Sequence, residues 1–127
     1  MISFETFRTE EGTPLYLQII LFIKRGVVSG QIGEEEELPS RRVLSAVLGV
    51  NPNTVQKAYR LLEEEGLIQS HSGAKSYMCI NGEKREAIKK QLMERDLKHM
   101  VRGLKQMDIA EEEVISMIRR YWEEDEV

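Results

Sequence analysis

A mainly α architecture carrying one small β-hairpin is what this chain encodes, and three features carry that expectation. Apolar residues recur at helical spacing in several separate runs. Each run is bracketed by residues that cap or break helices. After residue 66 the pattern changes to short extended runs around a glycine-bearing turn.

Residues 1–13 are polar and mixed and are expected to form an N-terminal arm that orders only in part. Thr13 and Pro14 then offer a cap followed by proline at the first helical position, where a missing N–H costs nothing. Leu15, Ile19, Phe22, Ile23 and Val27 form the apolar stripe of that helix, which ends near Ser29-Gly30.

Ser40 follows Pro39 and precedes the apolar set Val43, Leu44, Val47 and Leu48, so its hydroxyl is placed to cap a second helix. Gly49 ends it, because glycine accepts the left-handed C-cap geometry. Asn51 caps a third helix whose first position is Pro52. A turn of about three residues between two short helices is the helix-turn-helix layout.

In the third helix Val55, Ala58, Tyr59, Leu61 and Leu62 define a buried face. That leaves Asn53, Thr54, Gln56 and Lys57 near its exposed start, the end that meets base edges in the major groove. Asn and Gln can pair with adenine, Thr can touch a thymine methyl or a phosphate, and Lys suits guanine or phosphate. Leu67 to Ser70 and Ser76 to Ile80 then flank His71 to Lys75 as a hairpin, a wing whose tip carries Ser72, Gly73 and Lys75. The whole of 14–80 is expected to be a winged helix-turn-helix domain that reads DNA. Its candidate DNA-binding residues are Ser40, Arg41, Arg42, Asn51, Asn53, Thr54, Gln56, Lys57, Ser72, Gly73 and Lys75.

The remaining 81–127 are expected to be a two-helix dimerisation extension. From Glu83 to Met107 the residues Met93, Leu97, Met100, Leu104 and Met107 are spaced alternately four and three apart, an a/d seam. A helix of that length spans roughly 36 Å, too long to bury its stripe on so small a domain. It is expected to meet a second copy. Asp108, with Glu111 three residues on, is expected to cap the last helix, whose Val114, Ile115, Ile118, Tyr121 and Trp122 complete the apolar face. The candidate dimerisation residues are Met93, Leu97, Met100, Leu104, Met107, Ile115, Ile118 and Trp122. Methionine adapts to varied shapes, so the seam leaves room for a small-molecule effector of unspecified identity, although plain core packing is the simpler role.

Three ordered blocks, PLYLQI at Pro14 to Ile19, LPSRR at Leu38 to Arg42 and NTVQKAYRLLEEEGLI at Asn53 to Ile68, resemble the DNA-binding domain of the GntR family of bacterial transcription regulators. The resemblance covers about half the chain. It implies dimeric binding to operator DNA, with Arg42, Asn53, Thr54 and Gln56 at contact positions and Gly73 at the wing tip. Pro52 stands where many members place a base-reading arginine, Lys75 replaces a second wing glycine, and Glu34 and Glu35 replace a Pro-Gly. The short tail is similar to the YtrA-like branch, whose members are often repressors of transporter operons.

Composition fits this reading with one tension. The net charge is -4, yet from Pro14 to Ile80 the basic residues Lys24, Arg25, Arg41, Arg42, Lys57, Arg60 and Lys75 balance Glu34 to Glu37 and Glu63 to Glu65. Arg41, Arg42, Lys57 and Lys75 lie in the DNA-facing segments, and local field governs docking. The run Glu34 to Glu37 is expected to be solvated and turned away from phosphate. The absence of a long apolar run or a leader places the expected protein in the cytoplasm, away from the membrane. The single Cys79 excludes an internal disulfide and is expected in the core of a strand. His71 and His99 lack metal-like partners, so no metal or cofactor is expected, and no nucleophile elbow or phosphate loop suggests an enzyme. The acidic balance keeps one alternative open, a winged-helix protein-interaction module that does not read DNA.

Overall fold

The computed structural model describes residues 1–71 and 75–124. The chain forms two compact units, Met1–Lys90 and Gln91–Val127. Helices α1 (Leu15–Ser29), α2 (Arg41–Leu48) and α3 (Pro52–Glu64) lie in the first. So do strands β1 (Glu37–Leu38), β2 (Ile68–His71) and β3 (Lys75–Met78). Helix α4 (Gly82–Gln106) begins in the first unit and ends in the second, which also holds α5 (Glu111–Glu123).

The core of the first unit gathers the inward faces of its helices. Ile19, Ile23 and Val27 of α1, Leu44 of α2, and Val55, Tyr59 and Leu62 of α3 are buried, each set recurring at helical spacing. Both α1 and α2 pack on α3, and α3 packs on β2. Lys24 is buried beside them, and its ammonium meets the Glu65 carboxylate at 3.0 Å, tying α1 to the end of α3. In α2 only part of the expected apolar set turns inward: Val43 and Val47 are exposed. A helix of eight residues that packs on one neighbour buries one narrow stripe, here Leu44 and Ser45.

The start of α1 differs from the expected Thr13 cap. Pro14 is the N-cap and no side chain caps the helix. The Pro14 carbonyl accepts from the Leu17 and Gln18 N–H groups. The Gln18 side chain turns back instead, donating to the Glu10 and Thr13 carbonyls and accepting from the Glu10 N–H. The segment before it is also better packed than its polarity suggests. Ile2 and Phe4 are buried, and Phe4 stacks on Phe22 of α1 at 4.9 Å while Phe7 meets both rings edge-on.

The hairpin is part of a three-stranded antiparallel sheet, order β1-β3-β2. Glu37 pairs with Tyr77 and Leu38 with Ser76, while Ile68 to His71 pair with Met78 to Lys75. The acidic run thus gives its backbone to the sheet, with the Glu36 and Glu34 carbonyls accepting from Met78 and Ile80. Glu34 and Glu35 are exposed, whereas Glu36 and Glu37 are half-buried. The Ile2 N–H donates to the Glu37 carbonyl at 2.9 Å on the far side of β1. Alternation along the strands sends Leu38, Ile68, Ser76 and Met78 into the core and leaves Gln69, His71 and Lys75 exposed. Cys79 lies just past the end of β3, half-buried.

Asn81 caps α4 by accepting from the Lys84 N–H. The Lys84 ammonium donates to the Gly66 and Cys79 carbonyls, which fastens the first turn of α4 to the ends of α3 and β3. At the other end Asp108 does not cap α5. It has φ +57 in the turn that closes α4, where its N–H donates to the Lys105 carbonyl. Aspartate tolerates this left-handed geometry better than most side chains. The α5 N-cap is Ala110, with no side-chain bond. Among the described residues of the second unit only Leu92 is buried. Among the described residues, no helix is long and apolar enough to cross a membrane.

Candidate nucleic-acid interface

Local chemistry sets the two helix starts that carry the candidate residues. At α2 the Ser40 hydroxyl accepts from the Val43 N–H at 3.1 Å, which presents Arg41 and Arg42 on the first turn. Arg42 is exposed. Arg41 is half-buried, its guanidinium 5.2 Å above the Tyr59 ring, and its Nε is buried with no acceptor among the described residues.

The turn is closed by Gly49 at φ +67 and by Ser45. Both the Gly49 and the Val50 N–H groups donate to the Ser45 carbonyl, and the Ser45 hydroxyl donates to the Val50 carbonyl at 2.7 Å. Ser45 is buried, so removing its hydroxyl leaves a carbonyl short of a donor. Ser45→Ala is therefore expected to lower stability by about 1–2 kcal/mol, read as an earlier urea midpoint with an unchanged slope.

At α3 the Asn51 side-chain oxygen accepts from the Asn53 N–H at 2.8 Å and its carbonyl accepts from Thr54. Pro52 has no N–H to satisfy, so the end is closed without outside donors or acceptors. Asn53, Gln56 and Lys57 are exposed and Thr54 is half-buried, while Val55, Ala58, Tyr59 and Leu62 face the core. Lys57 does not hang free. Its ammonium lies 4.0 Å from the centre of the Tyr16 ring on α1.

Tyr59 joins the two helix starts. It is fully buried, and its hydroxyl donates to the Pro39 carbonyl at 2.7 Å, just before the α2 cap. Burial holds this phenol well above the ordinary tyrosine pKa, with the Arg41 guanidinium pulling partly the other way. Sequence reasoning placed Tyr59 in the core and did not single out Tyr16. A tyrosine on an apolar face needs a partner for its hydroxyl, which is the one clue available beforehand.

In the hairpin Lys75 is exposed and pairs across the strands with His71, whose ring meets Tyr77 edge-on at 5.1 Å. The candidates Ser72 and Gly73 lie outside the described residues. No group of His, Cys, Asp and Glu that could hold a metal occurs among the described residues.

The candidate dimerisation residues are open in the single chain. Met93 is 53% exposed, Leu97 50% and Trp122 86%, and Met100, Met107, Ile115 and Ile118 are exposed as well. Leu104 is half-buried. Val101 and Met117, which the seam pattern did not include, are also exposed.

Comparison with known proteins supplies context for this geometry. A model of the bacterial regulatory proteins of the gntR family matches residues 15–77. The HTH-type transcriptional repressor YtrA of Bacillus subtilis (strain 168) is 41% identical over 70 residues, covering 55% of this chain and 54% of that repressor. The match thus spans about half the length of that relative. A solved GntR family transcriptional regulator from Listeria monocytogenes superposes with a TM-score of 0.76 at 26% identity, over 88% of this chain and 98% of its own. YtrA from Sulfolobus acidocaldarius, a GntR-family transcription factor, does so with a TM-score of 0.56 at 30% identity, over 76% and 99%.

Proposed function

The chain belongs to the gntR family of bacterial regulatory proteins and is a DNA-binding transcriptional regulator; from there we propose that it is a homodimeric repressor of a pseudo-palindromic operator. One observation carries the reading. The capped start of α3 exposes Asn53, Gln56 and Lys57 while the rest of the helix is anchored in the core, so a fixed polar edge faces outward. That edge has the chemistry to pair with bases and phosphates. Arg42 adds an exposed cation at the neighbouring helix start, and Lys75 another on the wing.

The exposed apolar residues of α4 and α5 support pairing with a second copy, since a monomer rarely leaves so many large side chains in water. A two-fold dimer places two reading helices about one turn of DNA apart, or a small multiple. The name of the B. subtilis relative, a repressor, supports repression over activation, and the YtrA-like tail suggests transporter genes as the target. Membership of a regulator family disfavours the interaction module that ignores DNA.

Selection of bound duplexes from random DNA, followed by footprinting, is expected to return an inverted repeat. Arg42→Ala and Gln56→Ala are each expected to weaken binding to it by about 1–3 kcal/mol if they make paired base contacts. Wild type binding no selected sequence better than random duplex would sink the proposal.

A further inference from the structure

We infer that Tyr16 is a positioning residue for DNA binding, whose ring holds the Lys57 ammonium ready for a phosphate oxygen. The inference rests on the reading of Lys57 as a DNA-facing cation. The ammonium lies 4.0 Å from the ring centre, inside the ~6 Å reach of a cation–π contact. Tyr16 stands on α1 and Lys57 on α3, two helices packed on one another, so the contact crosses a fixed interface. The start of α1 is itself held, because the Gln18 side chain bonds back to Glu10 and Thr13 in the segment that leads into the helix.

A lysine on a flexible stem loses side-chain freedom when it binds a point anion. A lysine already resting on a ring has given up part of that freedom beforehand. The ring occupies one side of the ammonium only, and Lys57 is exposed, so N–H donors on the open side stay available to solvent or to an anion. A compact cation held in one place suits a phosphate oxygen, which positions a protein on DNA, better than a paired base edge. The same arrangement recurs at the other helix start, where Arg41 lies over Tyr59. Tyr59 is also bonded to Pro39, so variants there mix ring and hydroxyl effects, and Tyr16 gives the cleaner test.

The experiment titrates the full chain against the duplex that wild type selects from random DNA, across a salt series. Lys57→Ala is expected to weaken binding and to reduce the salt slope by about one. Tyr16→Leu is expected to weaken binding about three- to ten-fold, and Tyr16→Phe, which keeps the ring, to stay close to wild type. In the Lys57→Ala background Tyr16→Leu is expected to cost nothing further. Equal losses from Tyr16→Leu in both backgrounds, or a Tyr16→Phe variant as weak as Tyr16→Leu, would overturn the inference while leaving the Lys57 reading intact. A Lys57→Ala variant with unchanged affinity and salt slope would instead remove the Lys57 reading and the inference together. Ring-current displacement of the Lys57 ε-methylene protons in the unbound wild type provides a check without any variant; undisplaced protons would also overturn it.

Discussion

Leu97→Glu is expected to convert the proposed dimer to a monomer and to cut affinity for the proposed operator by about a hundred-fold or more, because two linked reading heads act at a high effective concentration and one does not. Leu97 is half-exposed in the single chain, in a stripe with Met93, Met100 and Val101. In a two-fold interface each residue is presented twice, so the substitution brings a pair of carboxylates into an apolar seam. The chain's own packing loses little, since Leu97 is not part of the buried core. Sedimentation velocity and a mobility-shift titration of the same sample separate the two effects. A Leu97→Glu protein that sediments like wild type would remove α4 from the interface.

Tyr59→Ala is expected to be the most destabilising single change in the reading unit, by roughly 3–5 kcal/mol, as for other large buried aromatic residues. The ring is fully buried, it lies under Arg41, and its hydroxyl closes the Pro39 carbonyl. Tyr59→Phe keeps the ring and loses only the bond, so about 1 kcal/mol is expected. The two variants are compared by urea unfolding at neutral pH. The phenol also predicts a pH response. Its pKa is raised by burial in the folded state, so the unfolded chain gives up the proton first. The stabilising contribution is complete below the ordinary tyrosine value of about 10 and is lost as pH rises above it. Wild type should therefore lose stability more steeply in that alkaline range than Tyr59→Phe does. Parallel profiles for the two would contradict the assignment.

Much of the reading unit is legible in the sequence because its punctuation is local. Ser40, Gly49, Asn51 and Pro52 each act on a neighbour within a few residues, and the helix ends fall where those residues stand. The exposed Asn53 and Gln56 followed from the same periodicity that buries Val55, Ala58 and Leu62. Features set by distant partners were not legible. Ile2 and Phe4 are buried because Phe22 and β1 lie beside them, and although Ile2, Phe4 and Phe7 stand out in the otherwise polar stretch from Met1 to Gly12, nothing there names those partners. The pairing of Glu37 with Tyr77 likewise joins residues far apart in the chain. Asp108 misled for another reason: aspartate serves both helix starts and left-handed turns, so local chemistry alone did not choose between them. The contacts of Lys57 with Tyr16 and of Arg41 with Tyr59 depend on which rings neighbouring helices bring within reach.

Strand β1 carries a consequence for how the protein behaves when crowded. An open sheet edge is a template onto which another chain can add, the usual first step of strand-mediated aggregation. Here that edge is only two residues long, its Glu37 carbonyl is already taken by Ile2, and the acidic run Glu34 to Glu37 leads into it. A strand arriving from a neighbour would find few unpaired groups and a repulsive charge. Concentrated samples should thus resist fibril formation through this edge.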